Sequence, residues 1–169
     1  MRSTLLTLLA AAVGTQVSGQ ELPLPTLDVI RSDNVTHRFT DNYHAEWYTF
    51  DDGSGQLTLR VSLKLLNYDY SSWTATDGTF GHWLSIGFGK NQMPGADIIM
   101  CVFRYRGTTS DDKFVCFDRF ANQRSMPIDD ETQSVTDVDT LRSYDERLKK
   151  VSLTAVFDRP LAGDGSTSE

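Results

Sequence analysis

The chain has 169 residues, enough for one domain with one sizeable hydrophobic core. Its formal net charge is −7, from 16 Lys and Arg against 23 Asp and Glu, with no basic stripe, which argues against a nucleic-acid binder or a module held on anionic lipid. Three dispersed histidines do not make the clustered nitrogen ligands that a copper oxygenase site needs.

The amino terminus reads as a secretory leader over residues 1–19. Arg2 supplies the positive opening, residues 5–13 form a nine-residue apolar run too short to span a bilayer, and Val17, Ser18 and Gly19 precede a cut before Gln20. The mature chain is therefore expected to be extracellular, and loss of Arg2 lowers the net charge by one, to −8. No other stretch approaches the ~18 consecutive apolar residues of a membrane span, so no membrane insertion is expected of this chain. Residues 20–44 form a leading segment containing Pro23 and Pro25. It carries one glycosylation sequon, Asn34-Val35-Thr36, which predicts an exposed position at Asn34.

Strand signals then follow one another with little between them but turns. Residues 45–50 form a strand with Trp47 and Phe50, and Asp51-Asp52-Gly53-Ser54-Gly55 is a turn signal. In the next strand Leu57, Leu59, Val61, Leu63 and Leu65 alternate with Thr58, Arg60, Ser62 and Lys64, so one face is buried and the other is wet. Residues 67–79 are polar and aromatic, with Tyr68, Tyr70 and Trp73. A loop of that length is either a binding loop or an Ω-loop packed by its own rings. Strands over 83–88 and 98–105 flank a connection rich in turn formers, in which Met93 sits without a core to fill. Residues 114–120 and 151–157 complete the set, the latter alternating Val151, Leu153, Ala155 and Phe157 with Ser152, Thr154 and Val156. The best helical candidate, 136–150, has too few apolar residues to bury a stripe, so the pattern predicts an all-β antiparallel sandwich over residues 45–164. Residues 165–169 are a tail or the start of a linker.

Cys101 and Cys116 fit an oxidising compartment. A hairpin centred near Thr108 and Thr109 places them opposite each other, either as a disulfide or as two buried thiols.

Several pieces of this chain form an ordered series: Gly81-His82-Trp83-Leu84-Ser85-Ile86-Gly87-Phe88-Gly89, then Met93-Pro94-Gly95-Ala96-Asp97-Ile98-Ile99, then Val115-Cys116-Phe117-Asp118-Arg119-Phe120. The Pro127, Asp130 and Gln133 cluster follows, and Phe157-Asp158-Arg159-Pro160-Leu161 with Asp164 completes the series. In that order they resemble the DOMON domain, the module found in dopamine β-monooxygenase, in cellobiose dehydrogenase cytochromes and in proteins fused to cytochrome b561. The resemblance implies an immunoglobulin-like β-sandwich that binds haem in some members and sugars in others. Met93 stands where haem-binding members place one axial ligand. The other is a His downstream of the Phe-x-Arg segment, and no His follows His82 here, so either the sequence is C-terminally truncated or the domain lacks that ligand.

Met with His ligation would suit electron transfer by haem b, since a thioether raises the potential and six-coordination leaves no open site. The alternative for Met93 is a flexible side chain packed over the mouth of the sandwich. His37, His44 and His82 read as strand-end or surface residues; His82 lies about 20 Å, one strand length, from the Met93 connection. Asp97 reads as a turn-stabilising residue or a partner for a propionate. Asp118-Arg119 and Asp158-Arg159 alternate across a strand, so each charge is expected to pair with another strand rather than with its neighbour. Asp129, Asp130 and Glu131 show no spaced calcium ligand set.

No nucleophile–base pair, phosphate loop or metal spacing is present, so no catalysis is expected from this chain alone, although it would suit an accessory domain of an oxidoreductase. Two functions remain open. One is a b-type haem module in extracellular electron transfer, with a redox partner or a fused membrane cytochrome in a longer native chain. The other is a carbohydrate-binding or interaction module without haem, using Tyr68, Tyr70 and Trp73 as stacking faces.

Overall fold

The computed structural model describes residues 33–51, 53, 55–89, 95–108, 110–123 and 126–161. The leader, residues 20–32, Met93 and the tail lie outside these. Nine strands are described: β1 (Val35–Arg38), β2 (Tyr43–Asp51), β3 (Leu57–Asp69), β4 (Gly81–Phe88), β5 (Ala96–Arg104), β6 (Lys113–Ala121), β7 (Ile128–Asp129), β8 (Thr136–Asp145) and β9 (Lys150–Pro160). They form a five-stranded sheet in the order β1-β2-β3-β9-β8 and a four-stranded sheet in the order β4-β5-β6-β7. All pairings are antiparallel. The two sheets pack into the expected β-sandwich, and no helix among the described residues is long and apolar enough to cross a membrane.

The period-2 pattern decides which face is inside. In the five-stranded sheet, Ala45, Leu63 and Ala155 share one rung and Trp47, Val61 and Phe157 the next, all on the inner face. In the four-stranded sheet, Leu84, Cys101 and Cys116 form one inner rung, and Phe103 lies between His82 and Phe114 on another. These rows meet in one cluster holding Val61, Leu63, Leu84, Ile99, Phe103, Leu153 and Phe157. Each large side chain so buried is worth about 1.5–3 kcal/mol.

Three elements differ from the sequence expectation. β1 lies inside the leading segment, where its exposed residues carry no alternation to detect. β3 runs on to Asp69 through a register shift between Leu65 and Tyr68, where Asn67 adopts φ 54°. Asn tolerates that left-handed conformation. The weak helical candidate is β8, an edge strand whose mostly exposed residues explain its few apolar ones.

The β5–β6 hairpin has the register read from the sequence: Cys101 is paired with Cys116 and the two form a disulfide, with Cα atoms 3.8 Å apart. Behind it Asp112, 6 % exposed, accepts the Arg106 backbone N–H at 2.5 Å and the Tyr144 hydroxyl, which fixes the hairpin end against β8. β4 is an edge strand, and such edges invite pairing with another chain. Here the Tyr43 hydroxyl donates to the Ser85 carbonyl at 2.8 Å and accepts the Ser85 N–H at 3.2 Å, occupying both outward backbone groups of that residue.

Two measurements test these ties. Replacing Cys101 and Cys116 together by Ala is expected to lower unfolding free energy in urea by about 3 kcal/mol, the loop-closure contribution of a bridge spanning some 15 residues. Tyr43→Phe is expected to cost about 1–3 kcal/mol, because two backbone groups lose their partner. An unchanged urea midpoint in either variant would refute the corresponding role.

Candidate functional site

The sandwich has two dissimilar ends. At one, β4 leads into β5 through the connection that contains Met93, bracketed by Gly89 at φ 85° and Gly95 at φ 78°. Both angles lie in the left-handed region that glycine adopts without strain. The Gly95 N–H donates to the Ala121 carbonyl at 2.6 Å, which anchors the start of β5 to the end of β6.

Beneath this connection the apolar inner rows give way to ionisable groups. Asp97 of β5 and Asp118 of β6 face inward on the four-stranded sheet, Asp97 opposite Phe120 and Asp118 opposite Ile99. Arg159 of β9 faces them from the other sheet, on the rung of Leu59. Its Nη2 donates to Asp97 Oδ2 at 2.5 Å, and its guanidinium lies 4.3 Å from the centre of the Phe88 ring. Asp118 is fully buried and Arg159 is 4 % exposed. Asp118 Oδ2 accepts both the Ser134 N–H, at 3.0 Å, and the Ser134 hydroxyl. Gln133 accepts the Asp118 N–H and donates to the Asp118 carbonyl, both at 2.9 Å. Oδ1 of each aspartate has no donor and Arg159 Nη1 has no acceptor. Burial raises the pKa of Asp118, the two Ser134 hydrogen bonds lower it, and the adjoining Asp97 carboxyl raises it again, to about 6 in all.

The charges on the outer faces pair separately. Arg60 forks onto Asp158 with two bonds of 2.6 Å, and Arg119 meets Asp129 at 2.9 Å. Thus neither Asp118-Arg119 nor Asp158-Arg159 pairs within itself; Arg119, Asp158 and Arg159 each meet an opposite charge on another segment, whereas the Asp118 carboxyl meets Ser134. Asp97 lies within β5 rather than in a turn, and Arg159 holds one of its two carboxylate oxygens. Asp129 pairs with Arg119, and Asp130 accepts the Thr132 N–H at 3.1 Å. No group of three or more metal-ligating side chains occurs among the described residues.

The other end is closed by aromatic rings. Tyr70 is 3 % exposed, packs 5.3 Å from Tyr144 and 5.9 Å from Tyr105, and donates its hydroxyl to Glu146 at 2.9 Å. Burial first, then Glu146, pushes its pKa up to about 12. Trp73 lies 5.4 Å from Tyr105 and 5.9 Å from Phe103, and Tyr68 lies 4.6 Å from the His82 ring. Burial lowers the pKa of His82. Tyr68 and Trp73 are half-buried, so a stacking face of Tyr70 is unavailable while the rims of its two neighbours reach solvent.

The three histidines stand away from the end of the sandwich at which β4 ends and β5 begins. Met93 lies outside the described residues, in the connection at the Asp97 end. His82 opens β4 at the aromatic end. His44 and His37 stand level with Lys64 and Leu63 of β3, four to five residues from the Leu59–Arg159 rung or roughly 13–17 Å along the strand. His44 accompanies the Asp41 carbonyl at 3.2 Å and His37 packs on Phe39. Asn34 is exposed immediately before β1. Sequence reading named Asp97, Asp118 and Arg159 one at a time; their meeting depends on the packing of two sheets. No protein-family model, curated protein or solved structure matches the chain.

The charged end is testable by its asymmetry with the surface. Arg159→Ala is expected to destabilise the fold by about 3–5 kcal/mol, since it leaves buried carboxylate without its counter-charge. Arg119→Ala, whose partner Asp129 is mostly exposed, is expected to cost less than about 1 kcal/mol. Equal losses in urea unfolding would remove the distinction between the two pairs.

Proposed function

We propose that the chain is a secreted binding module of the DOMON kind, non-catalytic by itself and working without haem, that takes an extracellular ligand of the carbohydrate class. The observation that carries this reading is the position of the chain's three histidines, none of which shares the end of the sandwich to which the Met93 connection belongs. That arrangement supports a reading in which the ligand is not a Met–His-ligated haem.

The binding reading draws support from the other end. The half-buried rims of Tyr68 and Trp73 are rigid, because their other faces rest on His82, Tyr70, Tyr105 and Phe103. An apolar ring face held in place, with polar side chains at its margin, is what the apolar face of a sugar recognises. Tyr70 serves this platform from below, as its support rather than as a contact.

A single pair of assays separates this function from the cytochrome alternative. Absorption spectra of the purified protein with added haem, oxidised and then reduced, are expected to match free haem. Calorimetric titration with soluble oligosaccharides is expected to show binding that Tyr68→Ala weakens roughly 5–10-fold, the loss of one ring contact. Sharp reduced bands of low-spin haem b that disappear in Met93→Ala would overturn the proposal in favour of an electron-transfer module with a redox partner or membrane cytochrome.

A further inference from the structure

We infer that Asp118 keeps its carboxyl proton in the folded protein and donates it to Asp97, and that this bond is an acid-favouring latch holding residues 130–134 onto β6. The inference is independent of the ligand. It rests on how donors are distributed around two carboxyl groups inside the sandwich.

Asp97 uses Oδ2 for Arg159, and Asp118 uses Oδ2 for Ser134. Each retains an Oδ1 without a donor, in a place closed to solvent at Asp118. The two carboxyls are diagonal neighbours on the inner face with one guanidinium between them, and a proton on Asp118 Oδ1 turned to Asp97 Oδ1 gives each of these atoms a partner. Counting charge gives the same answer. Among the described residues, β5 presents Asp97 to the cluster, β6 presents Asp118 and β9 presents Arg159. β4 presents the Phe88 ring, β3 the apolar Leu59, and the 130–134 segment the neutral Gln133 and Ser134. The remaining nearby charges are engaged on the outer faces, Arg60 with Asp158 and Arg119 with Asp129. One guanidinium thus faces two carboxyls: the cluster is neutral with the Asp118 proton and carries a buried negative charge without it.

Asp118 is also the point at which the 130–134 segment is fastened. Its carbonyl accepts the Asp130 N–H at 3.0 Å and Gln133 Nε2 at 2.9 Å, its N–H goes to Gln133 Oε1, and its carboxyl takes both Ser134 donors. Ionising Asp118 places the uncompensated charge at this fastening. Because the folded protein holds the proton more tightly than the unfolded chain does, the stabilisation is complete below the ordinary Asp range. It is lost as the pH rises through the folded value of about 6.

The test is a pH series from about 4 to about 8. The carboxyl carbon of Asp118, followed by NMR, is expected to titrate near pH 6. Through the same step the melting temperature should fall by roughly 5–10 °C, and amide exchange in residues 130–134 should accelerate. Asp118→Asn, whose amide donates to Asp97 without titrating, is expected to flatten the melting profile across that window. Asp97→Asn, which gives Asp118 a permanent donor, is expected to move the Asp118 step down, with burial still holding it above the ordinary carboxylate range. An Asp118 carboxyl that titrates within that ordinary range in the native sequence would overturn the inference, and so would an Asp118→Asn profile parallel to the native one. If Asp118→Asn does not fold, the titration of the native protein decides alone.

Discussion

The ion pair between Arg159 and Asp97 joins the last described strand of one sheet to the second strand of the other, at a depth where neither group is well hydrated. A β-sandwich is ordinarily closed by apolar side chains from both inner faces. Here the inner faces turn ionisable at the rungs of Leu59 and Ile99, where Arg159 stands beside Leu59 and Asp118 beside Ile99, with Asp97 at the next inward position of β5. A pair of this kind adds little net stability over a well-packed apolar substitute, yet it is intolerant of losing one member. Its effect is to fix which rung of β9 faces which rung of β5. A slip by one residue would turn Asp158 inward and Arg159 outward, stranding both charges.

That constraint gives the two ends of the molecule different characters. At the aromatic end, Tyr70, Trp73, Tyr105, Tyr144, Phe103 and Phe114 lie centroid to centroid at 5.3–6.3 Å and form a continuous plug. The loop that carries Tyr70 and Trp73 is long because it folds back over this plug. Its order comes from buried ring area rather than from backbone pairing. At the charged end, order comes from directional bonds, with Gln133 and Ser134 supplying donors that no strand provides. The disulfide sits between these regions, on the rung of Leu84, where it ties β5 to β6 whichever end is perturbed.

Much of the framework was legible in the residues alone. β3 and β9 are period-2 strands with one wet face, and their pattern is nearly unbroken, so burial and sequence agree. The register of the β5–β6 hairpin followed from one turn and two cysteines, because a two-residue period leaves few ways to place them opposite each other. β1 and β8 were not legible: both are edge strands with exposed residues, and their conformation is imposed by backbone bonds to a neighbour rather than by burial. The charged cluster was half legible. Alternation showed that Asp118 and Arg119, and Asp158 and Arg159, could not pair within themselves. It gave no means of knowing that Asp97 would meet Arg159 across the sandwich, because that contact depends on how two separate sheets align. The aromatic loop shows the opposite failure: composition marks Tyr68, Tyr70 and Trp73 alike, and only the packed core distinguishes a buried support from two exposed rims.

The same distinction bears on ligand chemistry. A residue's type can suggest a role, but axial ligation requires two donors on opposite sides of one site, and strand registry decides whether they share it. His82 is separated from the β4–β5 connection by the length of β4, and neither His44 nor His37 is on a strand adjoining it. A strand is stiff over that distance, so side-chain rotation does not carry these three imidazoles to the end where β4 passes into β5. What occupies that end instead is a self-contained set of charges, in which Arg159 and Ser134 already claim the carboxylate oxygens that face them. In the proposed function the ligand meets the aromatic end, where the ring rims are supported from beneath.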